Sequence, residues 1–144
     1  MTTIAYRDGV LAADTLMTRG DSKLVGITKI AKGADGRMGG AAGSAGFCAT
    51  WRAWLRGEAS RPEPKSENDS TDCGLVIWPD GRVELHEQSG SFEVASAYIA
   101  IGSGRPEALG AMHAGGDAEA AVRAAIAHDC HTGGDVTVLR AEGL

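Results

Sequence analysis

The sequence predicts an α+β protein made of hairpin-linked antiparallel sheets with segregated helices. Three observations carry that expectation. Asp8-Gly9, Gly33-Ala34-Asp35-Gly36 and Pro79-Asp80-Gly81-Arg82 each separate two short apolar runs, and turn residues between such runs mark hairpins. Helical spacing of apolar residues, by threes and fours, is confined to a few stretches. No long helix falls between the early strands, which disfavours a doubly wound parallel sheet.

Taken in order, residues 2–7 and 10–13 form the first hairpin, since both positions of an Asp-Gly turn take positive φ. Residues 14–26 are more polar and read as loop. Residues 28–32 and 37–42 form the second hairpin. In 44–56 the period changes: Phe47, Cys48, Trp51, Trp54 and Leu55 share one helical face, behind Ser44 as N-cap. The tryptophans read as core packing. Residues 57–70 (GEASRPEPKSENDS) have two prolines, many charges and no periodicity, the marks of an exposed loop. Residues 72–78 and 83–86 form the third hairpin, 91–95 add a short strand, and 98–101 end at Gly102-Ser103-Gly104. Pro106 suits the first turn of a helix with Ala108, Leu109 and Met112 on one face. Gly115-Gly116 ends it, and Asp117 caps a last helix marked by Ala118, Ala121, Val122, Ala125 and Ile126. Residues 135–140 form the final strand.

The 144 residues suit one domain, 1–144. A chain of this length buries roughly two thirds of its unfolded surface. A net charge of −5 without any dense Lys/Arg run argues against nucleic acid or an anionic membrane as partner. Three cysteines, Cys48, Cys73 and Cys130, are not a disulfide framework and point to a reducing, cytoplasmic setting. The N-terminus lacks the basic start and apolar core of a signal peptide. No apolar run approaches the ~20 residues that span a bilayer.

The functional expectation starts at Met1-Thr2-Thr3. Once Met1 is removed, Thr2 carries a nucleophilic hydroxyl beside a free α-amine. That amine has an unperturbed pKa of about 7.7–8.0, close enough to neutral to act as general base. Alone, Thr2 reads as the start of a strand. Four further pieces follow it: Asp14 after the second strand, Lys29 at the head of the third, Gly40 in Gly39-Gly40-Ala41-Ala42-Gly43-Ser44, and the late pair Gly102-Ser103-Gly104 and Asp129-x-x-Thr132-Gly133-Gly134. Taken singly, each reads as structure: Asp14 as a turn residue, Lys29 as a solvated strand end, Gly40 as close packing, Ser103 as a cap. Lys23 and Lys32 compete with Lys29.

In this order the pieces resemble the proteasome β-subunit family, most closely its bacterial HslV branch, through nearly the whole chain. The resemblance implies a four-layer αββα sandwich with N-terminal threonine hydrolase activity. It implies Thr2 as nucleophile, Lys29 as the catalytic lysine and Asp14 as the acid that holds it. Gly40 becomes the backbone donor to the oxyanion, Ser103 the serine beside the amine, and Asp129 and Thr132 a pair near it, with threonine in place of the usual serine. Met17, Ile27, Met38 and Ala42 are implied as the primary specificity pocket, an apolar one favouring an apolar residue, and Thr18 as a backbone partner of an extended peptide. The implied reaction is peptide hydrolysis through an acyl-enzyme, without cofactor or metal, on a polypeptide substrate. The implied assembly is a homo-oligomeric ring served by an ATP-dependent unfoldase.

The chain departs from that pattern. Relatives carry a second long helix where it has only 57–70, and its end, 141–144, is clipped. If Met1 stays, the Thr2 amine is tied up in a peptide bond, and a catalytically silent proteasome-like scaffold is the alternative. A small-molecule amidase using the same chemistry is a third reading. Other motifs are weaker. Gly102-x-Gly104 lacks the third glycine of a dinucleotide turn, because Glu107 stands there. His128, Cys130 and His131 have no second Cys/His pair with zinc-finger spacing. The resemblance leaves a weak cation site of backbone carbonyls near Asp129 and Thr132. Cys48 and Cys73 sit on a core face and at a strand start, poor places for a nucleophile.

Overall fold

The computed structural model describes residues 2–67 and 70–141. The expected removal of Met1 lies outside the described residues, as do residues 142–144 of the end expected at 141–144. Strands β1 (Thr3–Arg7) and β2 (Val10–Asp14) form the first hairpin, with Asp8 and Gly9 at φ 51° and 78°. Next come β3 (Met17–Arg19) and β4 (Ser22–Leu24), then β5 (Ile30–Lys32) and β6 (Met38–Ala42). Helix α1 (Ala45–Leu55) follows, its first turn closed by Ser44, whose side chain accepts from the Phe47 N–H at 3.3 Å. After it lie β7 (Ser66–Glu67), β8 (Ser70–Thr71), β9 (Cys73–Ile77), β10 (Val83–Glu87), β11 (Gly90–Glu93) and β12 (Tyr98–Gly102). Helices α2 (Arg105–His113) and α3 (Ala118–His128) precede β13 (Val136–Arg140). Asp117 caps α3 by accepting from the Ala120 N–H at 2.8 Å.

Among the described residues every strand pairing is antiparallel. One sheet runs β12-β1-β2-β13 and the other β11-β10-β9-β6-β5. The period of two along each strand sorts the side chains. Ile4, Leu11 and Ile101 of the first sheet meet Ile30, Met38, Leu75 and Ile77 of the second in one apolar cluster. Ala5, Ala12 and Ala100 face the other way, where Ala108 and Met112 of α2 and Ala121 and Val122 of α3 cover them. Alanines there leave room for two helices to lie close. Ala31, Ala41 and Val76 face Phe47, Trp51, Trp54 and Leu55 of α1. The fully buried Trp51 donates its indole N–H to the Leu75 carbonyl at 3.1 Å, so its one polar atom is satisfied.

The expected four-layer αββα sandwich is corrected by these elements. The described residues form thirteen strands in four sheets and only three helices, a mostly antiparallel β architecture. The physical reason lies after α1. Pro62, Pro64 and the surrounding charges carry no apolar stripe for a second helix, so α1 stands alone against its sheet. Two readings of loop are also corrected. Within 14–26, β3 and β4 pair through Arg19↔Ser22, and within 57–70 Glu67 pairs with Ser70. Among the described residues no helix is long and apolar enough to cross a membrane.

Candidate active site

Asp14 ends β2 and is wholly buried, and Lys29, just before β5, is 4 % exposed. The Lys29 ammonium donates to Asp14 Oδ1 at 2.8 Å. The same oxygen accepts from the Thr3 N–H at 3.0 Å, and Oδ2 accepts from the Gly133 N–H at 3.1 Å. One carboxylate therefore ties the start of β1, the head of β5 and the loop before β13. Burial pushes the Lys29 pKa down from its ordinary value, against the opposing pull of Asp14. The competing lysines are elsewhere: Lys23 is exposed on β4, and Lys32 donates to the Arg140 carbonyl at 2.7 Å.

Thr2 sits one residue before β1, and its hydroxyl-bearing neighbours fix the backbone there. Thr132 donates to Asp129 Oδ2 at 2.5 Å, so the Thr3 hydroxyl, 2.7 Å away, donates to Thr132. Ser103 Oγ is 2.7 Å from the same Asp129 oxygen and 3.5 Å from the Thr2 carbonyl. Its single proton goes to the carboxylate, the shorter contact. Burial opposes ionisation of Asp129, but donors from Thr132, Ser103 and the His131 N–H outweigh it and hold its pKa below the usual value. Gly102, at φ 100°, lets the chain pass close to Thr2, because a Cβ there would collide with the Thr2 carbonyl.

Thr2 and Lys29 line a cleft of about 210 Å³ together with Met17, Thr18, Ile27, Ala41, Gly43, Ala45, Cys48 and Arg52. The volume is below the roughly 300–1,000 Å³ of small-molecule sites, so it suits one side chain of a longer ligand. A larger cleft of about 390 Å³, between Leu85, Ile99 and Leu109, contains neither Thr2 nor Lys29.

Of the residues singled out in the sequence, Thr2, Lys29, Met17, Thr18 and Ile27 meet in this cleft, with Asp14 behind it. Ser103, Asp129 and Thr132 form the adjacent network. Three are elsewhere. Gly40 is buried mid-strand, paired opposite Ile30 and Leu75, with its Cα turned to Ile4. Met38 and Ala42 pack in the cluster between the sheets. Their parity on β6 is the cause: 38, 40 and 42 share the inner face, while Ala41 shares the α1 side with the cleft. The glycine at the cleft is Gly43, at φ 123°, where a Cβ would strike Asp72. Asp72 itself accepts from the Ser44 N–H at 2.9 Å and the Lys65 N–H at 3.0 Å, fixing the turn into α1.

Arg52 and Cys48 were missed as cleft residues. Ala45, Cys48 and Arg52, spaced by three and four, form a second stripe beside the core face of α1. Burial raises the Cys48 thiol to about 11 and the Cys73 thiol to about 12, which keeps both protonated near neutrality. His128, Cys130 and His131 are exposed at the end of α3 and just beyond. Among the described residues no three His, Cys, Asp or Glu side chains are placed to hold a metal.

The sequence matches no family model and no curated protein. Among solved structures it is similar to BPH of Thiobacillus denitrificans, with a TM-score of 0.70 at 23% identity over 99% of each chain. The same BPH in complex with epoxomicin matches with a TM-score of 0.70 at 23% identity, over 97% of this chain and 98% of that one. At that identity the likeness establishes a shared fold.

Proposed function

We propose that the chain is an N-terminal threonine peptidase of the proteasome/HslV type, hydrolysing peptide bonds through an acyl-enzyme at Thr2 once Met1 is removed. The observation that carries this reading is the buried Lys29–Asp14 pair opening on the cleft that Thr2 lines. A cation beside the threonine favours the deprotonated form of its hydroxyl. Asp14 keeps that cation aimed. The lowered pKa of Lys29 eases proton exchange with the groups around it. The freed α-amine takes the hydroxyl proton as the oxygen attacks the substrate carbonyl. The carbonyl oxygen becomes an oxyanion, and the leaving amine carries the proton away. Water then hydrolyses the ester and restores Thr2. For the oxyanion donor we assign the Gly43 N–H in place of Gly40, since Gly43 is the glycine at the cleft.

The binding of epoxomicin by BPH, a protein of similar fold, supports a ligand site in this architecture. A homo-oligomeric ring and a cytoplasmic setting belong to the same proposal, tested by the mass of the assembly in solution and by cell fractionation. The catalytic reading is tested by incubating Met1-free protein with small peptide esters and amides. Turnover that disappears in Thr2→Ala supports it. Turnover equal to that of Thr2→Ala ends it and leaves the silent scaffold.

A further inference from the structure

The cleft beside Thr2 was expected to be apolar, and one side chain contradicts that. Arg52 lies in the last turn of α1, half-buried, and lines the cleft with Met17, Ile27 and Ala45. Five other arginines, Arg7, Arg37, Arg56, Arg82 and Arg123, each have a carboxylate within 4 Å. Among the described residues the Arg52 guanidinium has no carboxylate partner and no side-chain hydrogen bond. Its nearest titratable neighbours do not neutralise it: Cys48 stays a protonated thiol, and Arg56 carries the same sign. Lys29 adds a positive charge to the cleft, and Asp14 behind it cancels only that one. Asp72, behind Gly43, spends its two oxygens on the Ser44 and Lys65 N–H groups, so the Arg52 charge on the cleft wall, partly withdrawn from water, meets no carboxylate among the described residues.

A half-buried guanidinium without an acceptor loses hydration on folding and regains nothing from the protein. Its planar fork matches a carboxylate, and charge-assisted hydrogen bonds of that kind are roughly twice as strong as neutral ones. The cleft has room for a single side chain. We propose that Arg52 makes this cleft a pocket for an acidic side chain, so that the residue held beside Thr2 is aspartate or glutamate. The inference rests on the proposed peptidase reading for its place in catalysis, but the pocket's preference can be measured without turnover.

The test uses the Met1-free full chain carrying Thr2→Ala, which cannot acylate. Three capped tripeptide amides, acetyl-Ala-Ala-Glu, acetyl-Ala-Ala-Gln and acetyl-Ala-Ala-Leu, are titrated at low salt by nuclear magnetic resonance. The expected result is glutamate binding at least about tenfold tighter than its neutral isostere glutamine, the size of one good charge-assisted contact. The gap should close in Arg52→Gln, persist in part in Arg52→Lys, and shrink in high salt. Equal affinity for Glu and Gln, tighter binding of Leu, a gap that survives Arg52→Gln, or no binding of any peptide would each overturn the proposal. Failure of the peptidase reading shows separately, as wild-type turnover no higher than that of Thr2→Ala.

Discussion

Asp14→Asn exchanges one oxygen for an amide nitrogen at a wholly buried position, and the hydrogen bonds determine its cost. Asp14 receives two donors on Oδ1, from Thr3 and Lys29, and one on Oδ2, from Gly133. Asparagine has one acceptor oxygen. Whichever way the amide turns, its NH2 faces an N–H donor, and the buried Lys29 ammonium loses the opposing charge. Breaking a buried pair from one side costs about 3–5 kcal/mol. For a chain of this size that corresponds to a melting temperature lower by about 6–20 °C. The assay is urea unfolding followed by tryptophan fluorescence, Trp51 and Trp54 being buried. Adding Lys29→Met removes the stranded charge, so the double variant should be more stable than Asp14→Asn alone. A loss below about 1 kcal/mol for Asp14→Asn, or a double variant as unstable as the sum of the singles, would refute the buried-pair reasoning.

Three other outcomes follow from the same geometry. Asp129 has its folded pKa held below the ordinary value, so its ionised form stabilises the fold above the unfolded pKa near 3.8. That stability is lost as pH falls through the lower folded value. Asp129→Asn should cost about 1–2 kcal/mol at pH 7, and the two unfolding curves should converge as the pH falls below the folded pKa of Asp129. Thr132→Val leaves the Thr3 hydroxyl without its acceptor and should cost about 1–3 kcal/mol by denaturant unfolding, with Thr132→Ser recovering most of it. Thiol labelling of the native chain at pH 7.5 should mark Cys130 first, because Cys130 is exposed while Cys48 and Cys73 are half-buried with raised pKa values.

What the sequence made legible was local. Asp8-Gly9 announced its hairpin because few other residues tolerate positive φ at two successive positions. Ser44 and Asp117 announced their helices through side-chain caps. The β3–β4 hairpin stayed hidden because residues 17–24 are mostly polar and largely exposed, with no alternation to read. The αββα expectation failed where 57–70 supplied no helix. In the site, Thr2, Asp14 and Lys29 stood out as residue types suited to one chemistry. That Gly40 lies away from the cleft and Gly43 at it depended on strand register and on where β6 ends, which one dimension does not reveal. Arg52 escaped notice because its stripe on α1 runs beside the aromatic one.

The most direct test is the mass of the N-terminal proteolytic fragment after brief exposure of Met1-free protein to a slowly hydrolysed peptide ester and an acid quench. The expected result is a gain of one acyl group on the fragment that begins with Thr2, strongly reduced in Lys29→Ala and absent in Thr2→Ala. An unmodified fragment, or an acyl group found instead on Cys48 or Cys130, would contradict a threonine nucleophile served by the buried lysine.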